Sequence, residues 1–267
     1  MFSFNKLFGR TLLIVLMGFI IRQSLLVASA SATESESEPL VIFGIAIQDA
    51  NNRLEQYLEA KQAIALVRTS EDKKGKVFQQ EFIPENSKQK QFNGKWKTLR
   101  QDKAFDQSIN ISNDILLETK NFNIESAQLV AETNSTLVFQ IANIVNVESD
   151  GDNEISNTDR IKLDDAIATN LLTEVIIDKQ QSKIRGLKIY AATSFKPSFM
   201  VTIDKLELRL DFDEAWSGGP FIRKNMTKHI VGEAGWLVNI DELVTTKLSN
   251  IRKVDLTKVE YKQDISL

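Results

Sequence analysis

The chain has 267 residues, 33 Lys and Arg against 36 Asp and Glu for a net charge of −3, 42% hydrophobic residues, one histidine and no cysteine. This is globular rather than disordered composition, and it lacks the basic excess that phosphate neutralisation by a nucleic-acid-binding protein needs. Without a thiol there is no disulfide, no cysteine-ligated metal, no thiol nucleophile and no cysteine-linked lipid.

Residues 1–32 carry Lys6, Arg10 and Arg22 and no acidic residue. The apolar run Thr11–Ile21 follows the first two, and Ala28-Ser-Ala-Ser-Ala32 closes the stretch with two overlapping small-residue sites. A basic head, a short apolar run and a small-residue exit describe a secretory signal cleaved near Ala30 or Ala32. The competing reading is a membrane anchor, but the run is shorter than the roughly 20 apolar residues a span needs. The mature chain has no further run of that kind, so the expectation is an exported, periplasmic protein without a membrane span. Loss of the signal makes the net charge more negative.

Residues 33–43 begin with alternating Ser and Glu and read as a flexible tail. One domain is then expected over residues 44–267. Ile47, Ala50, Leu54, Tyr57 and Leu58 form one stripe of an amphipathic helix over about residues 44–60. Residues 62–70 and 76–84 are β-rich runs around the charged, Gly-ended turn 71–75, which predicts a hairpin that Pro84 ends. Residues 94–99 predict a short strand with Trp96 facing inward. Residues 101–135 fit a helix or an extended segment equally well.

The pattern sharpens at residues 137–147, a strand, followed by an acidic loop over 148–160 and one or two helical turns over 164–171. Residues 172–178 and 183–190 flank a polar turn as a second hairpin. In the run 199–214, Leu206, Leu208, Leu210 and Phe212 alternate with charged residues, so the strand has one dry and one wet face. Val201 and Ile203 have the opposite parity, and a bulge near Asp204 and Lys205 would bring both sets to one side. Residues 216–220 turn the chain. Residues 222–231 and 233–240 predict two strands hinged at Gly232 or Gly235, and 243–260 a last weak strand or two.

The sum is a mainly β, α+β architecture: a curved antiparallel sheet of half-barrel type whose N-terminal helix covers the concave face. The hairpin at Leu172–Tyr190 resembles a recurring element of the LolA/LolB-like half-barrel superfamily, in which a strand ending in Asp-Lys leads through a polar turn to a strand of alternating apolar residues. Phe82–Pro84, Gly94–Trp96, Phe195–Phe199 and Val231–Trp236 followed by Asp241 and Glu242 resemble pieces of exported proteobacterial proteins of similar strand order. The resemblance covers about residues 45–255. It implies an apolar cavity between sheet and helix, and binding of acyl chains such as those of lipoproteins. The chain departs from the lipid-anchored members in having no cysteine, and no gating residue of a carrier can be matched to a position here.

Catalytic signals are weak. His229 stands alone, with no partner at a spacing that general-base chemistry would use. Asp211, Asp213 and Glu214 are accounted for by the wet side of a strand. Trp216–Gly219 lacks the leading glycine of a nucleophile elbow. Residues 148–159 faintly echo a calcium loop, with Glu148, Asp150, Asp152 and Asp159 at ligand positions, but Asn153 replaces the glycine and Asp159 the longer bidentate Glu. The chain is therefore read as a non-enzyme without cofactor or metal. The candidate ligand-binding residues are Val201, Ile203, Leu206, Leu208, Leu210, Phe212 and Trp236, holding an apolar ligand or a lipoprotein acyl chain. The alternative is an envelope protein-interaction module with a filled core.

Overall fold

The structure, a computed structural model, describes residues 34–60, 62–84, 94–103, 105, 115–120, 122, 124–141, 169–198, 200–235 and 238–256. The expected signal segment and the acidic loop 148–159 lie outside the described residues. Two compact units divide the chain, residues 1–42 and 43–267. Of the first, residues 34–42 form the opening turns of a helix.

That helix, α1, spans Glu34–Glu59. It begins inside the stretch expected to be a tail, and earlier than the apolar stripe would place it. In the second unit, Phe43, Ala46, Ile47, Ala50, Leu54 and Tyr57 are all buried at three- and four-residue spacing. The stripe thus reaches back to Phe43, while Leu58, at its far margin, is exposed. On the flank of the helix, Arg53 donates to Asp49 at 2.8 Å one turn earlier.

All the described strands that follow belong to one antiparallel sheet. Its strands are β1 (Gln62–Asp72), β2 (Val77–Pro84), β3 (Gly94–Gln101), β4 (Gln128–Glu132), β5 (Thr136–Ile141), β6 (Leu171–Asp178), β7 (Lys183–Ala191), β8 (Phe195–Ser198), β9 (Val201–Glu214), β10 (Phe221–Ala234) and β11 (Val238–Asp255). The spatial order is β3-β2-β1-β11-β10-β9-β7-β6-β5-β4, with β8 pairing β9 beyond the end of β7. The sheet is curved and open, ending on β3 and β4. No helix among the described residues is long and apolar enough to cross a membrane.

Both expected hairpins form, and each turn is held by an aspartate at the end of its first strand. Asp72 Oδ1 accepts from the Lys74 and Lys76 amides at 2.8 and 2.9 Å, and Gly75 takes the positive φ of 71°. Asp178 Oδ1 accepts from the Gln180 and Gln181 amides at 3.0 and 2.9 Å, with Ser182 at φ 49°. Pro84 is the last residue of β2, where no further ladder donor is needed. Trp96 of β3 packs on Phe82, ring centroids 5.1 Å apart.

At the β10–β11 junction the structure selects one of the two hinges the sequence offers, and the strand ends move with it. The chain passes straight through Gly232 and turns at Gly235, whose φ is 62°. β11 is a single strand to Asp255, because β10 pairs with its first half and β1 with its second. The ambiguous region 101–135 is mostly extended where described, apart from a 3-10 helix at Ile124–Ser126: Ile115–Thr119 runs along the start of β10, bridging Leu116 to Ile222, and β4 pairs with β5.

Register places Phe139, Val175, Leu187, Leu210, Met226 and Thr246 side by side on the concave face. The helix packs on this face. Phe43 meets Phe139 with ring centroids 4.6 Å apart, Arg53 lies over the Phe221 ring at 5.2 Å, and Tyr57 joins a buried cluster with Ile64, Leu66, Phe82, Ile115, Ile222 and Leu248. Each such fully buried side chain contributes about 1.5–3 kcal/mol. α1 therefore seals the end of the sheet that holds the β9–β10 turn.

Candidate functional site

Among the described residues, the opposite end of the concave face is built from strands. Leu171 of β6, Phe195 of β8 and Ile203 of β9 are buried there, with Ile189, Ala191, Val201, Leu206 and Ile230 half-buried around them. Every described member of this cluster lies on β6 to β10. Its geometry depends on an irregularity in β9. Pairing with β10 shifts between Lys205–Val231 and Ile203–Gly232, leaving Asp204 as the added residue. The bulge near Asp204 and Lys205 thus turns Val201 and Ile203 onto the side of Leu206. It also drives two backbones together: a Cβ on Gly232 would lie 2.2 Å from the Thr202 carbonyl oxygen. Glycine is required there by close approach.

The seven candidate residues separate into three groups. Val201, Ile203 and Leu206 belong to the strand-built cluster. Leu208 and Leu210 continue the same face and are half-buried, opposite Ile189 and Leu187 of β7. Phe212 is only 6% exposed and stands toward the end sealed by the helix, so it serves the core. Trp236 lies outside the described residues. Periodicity on β9 missed Ile189, Ala191, Leu171, Phe195 and Ile230, because a face assembled from five strands is not visible in any one of them.

One charged pair sits in this apolar surface. Lys228 of β10 lies beside Leu208 and Val244 in register, and Ile230 lies beside Glu242 of β11. The Lys228 ammonium reaches diagonally to Glu242, Nζ to Oε1 2.7 Å, with side chains 22% and 29% exposed. β1 pairs with β11 no further than Val244, opposite Asp72, whose Oδ1 caps its own turn. Beyond that point β11 has no β1 neighbour.

The remaining ionic groups have structural work. Glu214 receives Lys183 Nζ at 2.6 Å and Arg53 Nη1 at 3.3 Å, tying β7 and the helix to the end of β9. The Lys183 hydrogen bond chiefly holds its carboxyl below the ordinary range. Arg68, buried on β1, donates to Gln80 at 2.6 Å and lies over the Trp96 ring at 4.0 Å. Burial, and then the neighbouring Arg223 guanidinium, push its pKa down to about 10. His229 is on the convex side opposite Glu207, with Nε2 3.9 Å from Asp241 Oδ1. Asp211 and Asp213 share that side, beside Arg209 and Arg185. Among the described residues no three His, Asp or Glu side chains group closely enough to hold a metal ion.

No protein-family model matches the chain, and no curated protein or solved structure is significantly similar to it.

Proposed function

We propose that this is an exported, periplasmic binding protein of LolA/LolB-like type, which holds an acyl chain or similar apolar group of a lipid or lipoprotein in the cell envelope. One observation carries the reading. On β5 and β6 the concave face is completely covered, with Leu137, Phe139, Val175 and Ile177 at 0% exposure, whereas Leu206, Leu208, Leu210, Ile189 and Ile230 on the neighbouring strands are only half-buried. Among the described residues, the contacts of α1 fall on the other end of this face, at Phe139, Phe221 and the Tyr57 cluster. The surplus apolar surface gains about 25 cal/mol per Å² when a hydrocarbon covers it. Sites of this type are apolar with few polar groups.

Native mass spectrometry of protein purified from its own envelope is expected to show a bound lipid, and delipidated protein to take up an apolar fluorescent dye. N-terminal sequencing of the exported form is expected to begin within a few residues of Ala32. Protein that is uniformly ligand-free and refuses both dye and lipid would overturn the reading.

A second reading, docking of an envelope protein by strand addition, is favoured by β4. It ends the sheet, all five of its residues are exposed, and Leu129 and Val130 are 42% and 47% exposed. Edge strand β3 instead carries Lys95, Lys97 and Arg100, which blunt strand pairing. Pull-down with Val130→Lys separates this reading from the first, since the substitution leaves the concave face untouched.

A further inference from the structure

We propose that the ligand of the strand-built face is a single-chain carboxylate, a long-chain fatty acid, whose head group is received by the Lys228 ammonium. This rests on the acyl-binding reading and adds the chemistry of the head. Lys228 is the basic side chain that register places within the half-buried apolar field, between Leu208 and Val244 and one step from Ile230. Its ammonium has three donors; Glu242 Oε1 lies 2.7 Å away as an ion pair, but that buried oxygen accepts no aligned hydrogen bond. The pair is partly buried, so a second carboxylate meets a positive charge that water screens incompletely.

The field also has the right length. From Lys228 the concave face runs through Ile230 and Gly232 to Ala234 on β10, and through Leu206 and Ile203 to Val201 on β9. Six residues of strand at about 3.3 Å each give about 20 Å of surface, the scale of a long acyl chain. The bulge at Asp204 keeps that stretch apolar by holding Val201 and Ile203 on the concave side. Gly232 leaves its middle without a side chain. An ammonium partway along the face, with Glu242 beside it and about 20 Å of otherwise apolar strand surface running to one side, complements a molecule with a single negative charge at one end of a long chain. Glu242 neutralises Lys228 when the face is empty, which spares an unpaired buried charge, and the incoming carboxylate competes with it.

The test uses the full mature protein, delipidated, with palmitate and hexadecanol as probes of equal chain length, by displacement of an apolar dye. Palmitate is expected to bind about tenfold or more tighter than hexadecanol, the scale of one charge-assisted hydrogen bond. Lys228→Met is expected to lose that preference while keeping hexadecanol affinity. Glu242→Gln, which removes the competing carboxylate, is expected to raise palmitate affinity several-fold; a merely structural ion pair would lower it. Equal binding of both probes by the wild type, unchanged by either variant, overturns the head-group assignment and leaves acyl binding standing. Failure of both probes to bind overturns the acyl reading itself.

Discussion

Ile203 of β9 sits opposite Gly232 of β10, one step past the register shift that leaves Asp204 unpaired. The contact between these two strands is so close that a Cβ at Gly232 would fall 2.2 Å from the Thr202 carbonyl oxygen and 3.1 Å from Ile203 Cα. The bulge that turns Val201 and Ile203 inward and the glycine that admits it are one device.

Gly232→Ala is therefore expected to destabilise the protein by about 1–3 kcal/mol, since backbone atoms on the opposing strand must give way. Gly44→Ala provides the contrast. Gly44 lies inside α1 with nothing within 4 Å of its added Cβ, so alanine is expected to stabilise by about 0.5–1 kcal/mol. Denaturant melts of both variants check the opposite signs.

Truncation along the concave face should distinguish core from site. Phe139→Ala removes the ring that meets Phe43 and is expected to cost about 3–5 kcal/mol. Leu208→Ala, at a half-buried position, is expected to cost about 1 kcal/mol. Equal losses at both positions would show that the β9 end is packed as tightly as the β5 end.

Leu206→Asp and Leu208→Asp place a carboxylate in the strand-built face. Dye and lipid uptake is expected to fall by an order of magnitude, at about the 1.4 kcal/mol per tenfold of a lost apolar contact, with the far-ultraviolet circular dichroism retained. Asp substitution at Val130 on β4, outside that face, is expected to leave uptake unchanged.

Acid should weaken the tie between β7, the helix and the end of β9. Lys183, chiefly, and also Arg53 and the Gly218 amide hold the Glu214 carboxyl below its ordinary value of 4.5. A depressed carboxyl contributes stability that is present above that ordinary value and is lost as the pH falls through the lower folded one. Glu214→Gln is expected to lower stability at neutral pH and to flatten the decline below about pH 4.5. Melting temperatures from pH 3 to 7 measure both effects.

Local chemistry carried most of the secondary structure. The Asp72 and Asp178 turns, the stop at Pro84, the Ile47–Tyr57 stripe and the alternation from Leu206 to Phe212 are short-range signals, each set by backbone geometry or by a two- or 3.6-residue period. Even the β9 bulge was legible, as a change of parity between Ile203 and Leu206. The start of α1 was not, because a Ser/Glu-rich stretch has no apolar period to read. The hinge between β10 and β11 was also hidden, since Gly232 and Gly235 look alike in sequence. Only three-dimensional pairing shows that one answers a close backbone approach and the other a positive φ.

The amino-acid sequence by itself determined that this is a mainly β chain with an amphipathic helix before a set of hairpins, and which side of β9 is dry. Tertiary structure alone decided how that dry side is used. Phe212 goes into the core because the helix lies over its end of the sheet, while Leu206 and Leu208 stay half-buried among the described strands at the other end. Lys228 and Glu242, fourteen positions apart, meet because β10 and β11 pair in one particular register. Burial and cross-strand neighbours are long-range properties, fixed by which elements cover which, and no local period encodes them.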